Sequence, residues 1–391
     1  MKYDIEDKKM TIYLEGRIDA GNSKEAEDEL MALSRENPGV SLILDAAGLE
    51  YISSAGLRVL MRLRKSRDTL QVINTSPEVY EIFSVTGFTQ ILDVSKKLRF
   101  VSAKGLKKLG AGVNGTVYTL DDESILKTVK NMTLDAIKSE MEVSRTAFVY
   151  GIPTAIAYDV VETEEGYGEI YEMMKAGVFS TVLVEQPERR DEFLKEFVRI
   201  YREIHGTDVA GSPLPGIKKI YLEAADTLTQ WLEPDEVELI KKFIAAVPER
   251  TTFIHGDFHL GNIMLQDGEL ILIDIGEAAY GHPIFDLAQT CWAFYMGINI
   301  NHEKCSGITG LAPEEAKLFL EDALNSYFGT EGKQLEDQKK AAKAMGLVRS
   351  MTVFPMQGRT PSQEDIEMRV KLVRENLLPH IDELCEIVKD M

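Results

Sequence analysis

Cysteine is scarce in this chain: three in 391 residues, at positions 291, 305 and 385. Spaced so widely, they match neither a disulfide framework nor a metal motif, and read as thiols in a reducing compartment. His302 and Cys305 have only two residues between them, but no second pair completes a zinc site. Long apolar runs are missing too. No stretch approaches the length of a bilayer-spanning helix, and the opening MKYDIEDKKM lacks the apolar core of a signal peptide. No membrane span is expected, and the scattered thiols predict a cytoplasmic protein. There is no long basic run: Lys and Arg total 44 against 64 Asp and Glu, a net charge of -20. Such a surface repels a phosphate backbone, so no nucleic-acid partner is expected, whereas a cationic small substrate would suit the field. What is present is a composition with 44% apolar and 28% charged residues, enough for real cores, over a length that suggests more than one domain.

The hydropathy pattern divides the chain near residue 98. In the first unit, 1–97, MTIYLEGRID alternates as a strand, residues 23–36 read as a helix, and VSLILDAAG reads as a buried strand. Ser53 or Ser54 could cap a helix starting near Gly56, and LQVINTS is a further strand followed by a short helix over 79–85. This order predicts a small α/β sheet with helices packed on it. In the second unit, 98–391, residues up to about 172 are rich in strands, interrupted by a helix over 133–150. From about 177 onward the chain is mainly helical, with helices near 189–206, 218–230, 234–246, 313–328, 334–347 and 363–389. The expectation is a β-rich lobe followed by a helical lobe.

Several residues in the second unit carry chemistry. Gly110, Gly112 and Gly115 lie between two strand patterns, a spacing that suits either a tight hairpin or a backbone laid against phosphate oxygens. A strand rather than a helix follows, so this is not a dinucleotide fingerprint. Lys127 sits inside the apolar strand SILKTV, where an unpaired ammonium is costly; it could snorkel, or it could pair with phosphates. Glu140 and Glu142 lie on the next helix and cannot both face inward. In FIHGDFHLGNIMLQDGELILIDIG, from Phe253 to Gly276, Asp257 is placed to orient an attacking hydroxyl, and Asn262 and Asp274 offer hard oxygen ligands for magnesium. Asp267-Gly268 reads as a hairpin turn, and His259 as a ring packed beside the loop.

With HGDFHLGN at 255–262 and ILIDIG at 271–276, the unit 98–391 resembles the aminoglycoside phosphotransferase and choline kinase superfamily, relatives of the protein kinases. The resemblance implies a bilobal protein-kinase-like fold and an ATP- and magnesium-dependent transfer to a hydroxyl of a small molecule. It implies Asp257 as the catalytic carboxylate, Asn262 and Asp274 as magnesium ligands, Lys127 as the phosphate-binding lysine and Glu140 as its partner, with Glu142 as the fallback. Glu172 and Met174, in YEMM, fall at the adenine-binding hinge, and Asp286 and His205 fall where relatives carry bracing residues. A protein kinase is disfavoured, because no Ala-Pro-Glu lies between Asp274 and Asp286.

The first unit resembles a STAS domain, the fold of anti-sigma factor antagonists, through LEGRID, SLILDAAGLEYI, SSAGLRVL and INTSPEVYEIFSVTGF. That family implies a protein partner and a phosphorylated serine at a helix head, the place of Ser54, although Ser53 stands where switching members carry an acidic residue. Two readings follow. One is a small-molecule kinase with a STAS docking or regulatory module; the other is a signalling scaffold whose kinase fold senses nucleotide.

Overall fold

The computed structural model describes residues 1–67, 69–111, 115–130, 132–299 and 309–391. Gly112, His302 and Cys305 lie outside the described residues. The chain divides into two compact units, Met1–Val101 and Ser102–Met391.

The first unit is one sheet with helices on it. Its strands β1 (Lys2–Glu6), β2 (Lys9–Ile18), β3 (Ser41–Ile52), β4 (Leu70–Thr75) and β5 (Asp93–Lys96) neighbour one another in sequence order. The pairs from β2 to β5 are parallel, and β1 is antiparallel to β2. The sequence pattern did not suggest β1, because its residues are exposed throughout. It forms through the turn instead: Asp7 and Lys8 both take positive φ, 45° and 61°, the backbone that closes a two-residue hairpin. Helices α1 (Ser23–Glu36), α2 (Ser54–Lys65) and α3 (Pro77–Val85) complete the unit. Ile12, Leu14, Leu42, Leu44, Leu57 and Leu60 belong to its core. Helix α2 begins earlier than the expected start near Gly56. The Ser53 hydroxyl accepts from the amides of Ala55 and Gly56 at 3.2 and 3.4 Å, so Ser53 is the cap and Ser54 the first helical residue, exposed. A side chain at Gly56 would meet Ile52 and the Ile18 carbonyl within 2.8 Å, so this helix can lie down only on a glycine.

The second unit opens with an antiparallel sheet. Its strands are β6 (Lys108–Ala111), β7 (Gly115–Thr119), β8 (Ser124–Val129), β9 (Ala157–Thr163) and β10 (Gly166–Glu172), in spatial order β9-β10-β8-β7-β6. Helix α4 (Leu134–Val149) follows β8. Beyond the short strand β11 (Gly177–Val178) the unit is mainly helical: α5 (Phe179–Glu185), α6 (Arg190–Gly206), α7 (Ile217–Asp226) and α8 (Pro234–Ala246). Strand β12 (Thr252–Ile254) then leads into the hairpin of β13 (Ile263–Gln266) and β14 (Glu269–Leu272), and β15 (Ala279–Gly281) pairs with β12. Asp267 and Gly268 turn that hairpin at φ 52° and 89°. Helices α9 (Ile284–Asn299), α10 (Pro313–Phe328), α11 (Gly332–Met356), α12 (Gln363–Asn376) and α13 (Ile381–Lys389) follow. Two helical spans differ from expectation. The span 334–347 is part of the longer α11, and the span 363–389 breaks at Leu378–His380, where Pro379 removes a backbone donor. Among the described residues, no helix is long and apolar enough to cross a membrane.

Candidate active site

The loop after β12 holds Asp257 in a braced position. Gly256 takes φ 85°, and a Cβ there would lie 2.4 Å from the Glu277 carbonyl oxygen, so only glycine allows the chain through. Asp286, in the first turn of α9 and fully buried, accepts from the amides of His255 and Gly256 at 2.8 and 2.7 Å. Its carboxylate also meets His205 Nε2 at 3.1 Å, and His205 Nδ1 meets the Tyr327 hydroxyl at 2.8 Å. Phe258 is stacked on Tyr201, ring centroids 4.0 Å apart. At the far end of the loop the Ile273 amide donates to the Asn262 carbonyl at 3.0 Å, which ties Asn262 to the residue before Asp274. Neither nearby histidine is poised to carry a proton. His255 is buried, which lowers its pKa, and accepts from the Asp257 amide. Burial takes His259 down to about 4, and its Nδ1 accepts from Gly261.

Both oxygens of Asp257 are engaged by amide groups. Gln289 Nε2 donates to Oδ1 at 2.5 Å and Asn262 Nδ2 to Oδ2 at 3.1 Å, with a second bond from Asn262 Nδ2 to the Asp257 carbonyl. Gln289 is itself held by Arg349, a buried residue of α11 whose Nε donates to Gln289 Oε1 at 2.8 Å. Arg349 also donates to Glu277 at 2.8 Å, and Gln357 donates to the other Glu277 oxygen at 2.7 Å. Burial pushes the Asp257 carboxyl up to about 7; the Glu277 charge adds to the shift, and Arg349 opposes it. A carboxyl so placed changes protonation near neutral pH, the range suited to acid–base work.

The second cluster gathers around Lys127 on β8. Its ammonium donates to Glu140 Oε1 at 3.1 Å and to Asp274 Oδ1 at 2.9 Å, and lies 3.5 Å from Glu169 Oε2. Glu142 is exposed, so Glu140 is the α4 carboxylate that faces the lysine. Burial opposes the lysine's charge, but the carboxylates of Asp274, Glu140 and Glu169 outweigh it and raise the Lys127 pKa well above its ordinary value. Burial likewise works against the Asp274 charge, and Lys127 overcomes it, holding the carboxyl below its usual range. Asp274 takes φ 57°, left-handed backbone that is uncommon outside glycine and aims its side chain at the lysine. Gly110 lies in β6, and Gly115 opens β7, where a Cβ would fall 1.8 Å from the Thr128 carbonyl; close strand approach therefore requires this glycine. Glu172 ends β10 and accepts from the Ile156 amide at 3.2 Å, and Met174 is half-buried just beyond.

Four polar residues at these clusters escaped the motif reading. Gln289 follows Asp286 by three positions on one helix, which places both on the same face, and Glu277 follows Asp274 by three. Glu169 is a carboxylate within a strand of otherwise apolar or small buried neighbours, a signal that was available. Arg349 has no local signal, because its partners lie 60 and 72 positions away.

A model of the phosphotransferase enzyme family matches residues 105–304, and a model of the Mlab-type STAS domain matches residues 1–94. The first unit is similar to a putative anti-sigma factor antagonist, BtrV, of Bordetella bronchiseptica: 33% identical over 94 residues, covering 23% of this chain and 80% of that protein. The chain is also 21% identical over 309 residues to acyl-CoA dehydrogenase family member 10 of Mus musculus, covering 66% of this chain but 28% of that larger protein. Among solved structures, a choline/ethanolamine kinase family protein from Mesorhizobium loti superposes with a TM-score of 0.49 at 16% identity, covering 74% of this chain and 94% of its own. With more than half its length matched, the chain belongs to the phosphotransferase enzyme family and carries a STAS domain at its N-terminal end.

Proposed function

We propose that the second unit transfers the γ-phosphoryl group of ATP to a hydroxyl of a small molecule, with magnesium. Asp257 receives or orients the proton of the attacking hydroxyl. Lys127, held by Glu140, contacts the phosphates, and Gly110 in β6 and Gly115 in β7 let the strand backbone lie close to them. Glu172 and Met174 border the adenine. The observation that carries this reading is the approach of Lys127 to both Glu140 and Asp274. The lysine comes from a strand, the glutamate from the following helix and the aspartate from beyond a distant hairpin, and the half-exposed Asp274 leaves their meeting point open to a ligand.

The donor set fits magnesium. Asn262 uses its amide nitrogen on Asp257, which leaves the amide oxygen for a cation, and the Asp274 carboxylate is about half exposed, 48% by side chain. Both are hard oxygen donors, and the remaining positions would fall to water and phosphate. When bound, magnesium supplies charge to the phosphate oxygens. Asn262 and Asp274 hold that position, the Asp286 brace keeps Asp257 facing the acceptor, and Lys127 stays protonated through its carboxylate neighbours.

The acceptor is a small hydroxylated molecule, and the net charge of -20 favours a cationic one. The first unit serves docking or regulation through a protein partner, with exposed Ser54 at the head of α2 as its modification point. Calorimetric titration of the full chain with ATP, with and without magnesium, followed by an ADP-production screen over alcohols, tests the reading. Absence of binding at millimolar ATP in both conditions would overturn it.

A further inference from the structure

Glu169 faces the same lysine as Glu140, but from inside the sheet. Strands β8 and β10 pair in a register that sets Lys127 directly opposite Glu169. The Glu169 side chain is fully buried; its Oε1 accepts only a long bond from the Tyr171 hydroxyl, 3.4 Å, and its Oε2 lies 3.5 Å from the ammonium with no hydrogen bond of its own. A lysine has three donors. Glu140 and Asp274 engage two, and the third is within reach of Glu169. Such a buried carboxylate is left costly and half-satisfied unless the ammonium serves it.

Resting on the reading of Lys127 as the phosphate-binding lysine, we propose that Glu169 competes with the nucleotide's phosphates for this ammonium and so sets the affinity for nucleotide. The cluster holds one positive charge against the carboxylates of Glu140, Glu169 and Asp274. Magnesium can take up Asp274 at the open side, but nothing from solvent reaches Glu169, whose charge would stay beside the lysine and repel the incoming phosphates. Removing that charge while keeping shape strengthens binding. Unit charges about 7 Å apart in a partly buried site repel enough for a tightening of roughly tenfold, allowing for partial protonation of the glutamate.

Lys127 across the sheet and Tyr171 on its own strand touch Glu169, and the charges of Glu140 on α4 and Asp274 beyond β14 act on it from around the lysine. Burial above all, then Glu140 and Asp274, pushes its carboxyl up to about 7, against the pull of Lys127. Its charge is therefore present above neutrality and lost below it.

The test is calorimetric titration of the full chain with ATP and magnesium for the wild type, Glu169→Gln, Glu169→Leu and Lys127→Ala, at pH 6 and pH 8. Both Glu169 variants bind roughly tenfold more tightly than wild type at pH 8, and the gap narrows at pH 6, where the wild-type carboxyl is largely protonated. The nucleotide's own titration cancels in that comparison. Equal or weaker binding by whichever Glu169 variant keeps the wild-type melting profile overturns the proposal. So does a gap that does not change with pH, the mark of a packing effect. If Lys127→Ala binds as well as wild type, the assignment of the lysine itself fails, and this proposal falls with it.

Discussion

Gly276→Ala adds one methyl group where it cannot fit without moving Glu140. The new Cβ would lie 2.4 Å from Glu140 Cγ, 2.6 Å from Cδ and 2.8 Å from Oε1. Ordinary carbon contacts begin near 3.5 Å, so the glutamate must withdraw by roughly 1 Å. Its bond to Lys127 spans 3.1 Å, and a withdrawal of that size breaks it. The atoms in the way belong to a flexible side chain, not to backbone, so the fold absorbs the change at a rotamer cost of about 1 kcal/mol. A hydrogen bond to a charged group contributes about 1.5–3 kcal/mol. Lys127 retains Asp274 and Glu169, which places the loss at the lower end and predicts affinity for ATP with magnesium weakened about tenfold. Calorimetry on Gly276→Ala, Glu140→Ala and the double variant reads this directly. In the Glu140→Ala background the methyl group meets only a small side chain, so Gly276→Ala should add nothing further. Full weakening by Gly276→Ala in that background, or no weakening where Glu140→Ala alone weakens, would refute the steric route.

Asp257→Asn keeps the size of the side chain and removes its charge; turnover of an identified acceptor should fall roughly 10²–10⁴-fold with nucleotide affinity little changed, by steady-state kinetics and calorimetry. Asp286→Ala leaves the buried amides of His255 and Gly256 without an acceptor, which should cost about 3 kcal/mol or more by denaturant unfolding and should also lower turnover through Asp257. Gln289→Leu strips the Oδ1 partner from Asp257 and the Oε1 acceptor from Arg349; kcat should fall about tenfold or more while binding of ATP with magnesium stays near wild type, since neither contact touches Lys127. Glu169 gives a pH signature of stability. Its carboxyl rises from 4.5 to about 7 on folding, so its contribution is complete below pH 4.5 and is lost as pH climbs through 7. Relative to Glu169→Gln, the wild type should therefore lose about 3 kcal/mol between pH 4.5 and 8, followed by denaturant midpoints.

Much of the fold was legible because its elements carry their own signals. The β2, β3 and β4 cores alternate or run apolar, Asp267-Gly268 closes a hairpin by local backbone preference, and helices such as α8 and α10 begin at proline. What escaped had weak or conflicting local signals. Strand β1 has no buried face to produce a pattern, and exists because Asp7 and Lys8 accept left-handed backbone. The α12–α13 break is a proline effect that a continuous apolar periodicity on both sides concealed.

The site divides along a similar line. Asp257, Asn262 and Asp274 share one short stretch because a turn and a hairpin can carry them, and their spacing together with the family resemblance marks them out. Lys127 and Glu140 are separated by 13 positions, and a strand followed by a helix brings them together. The groups that decide how these residues behave come from farther away. Arg349 reaches Gln289 and Glu277 from α11, and through Gln289 it touches the charge on Asp257; Glu169 reaches Lys127 only because two antiparallel strands happen to align them. A motif records which atoms meet the substrate, since those must recur at fixed spacing. The electrostatic setting of those atoms can be supplied from any neighbouring element, provided that a charge of the right sign is buried within a few ångströms. Two chains with the same motif can thus differ in the electrostatic setting of the same atoms; in this one Glu169 lies 3.5 Å from the Lys127 ammonium, and Arg349 opposes the upward shift of Asp257.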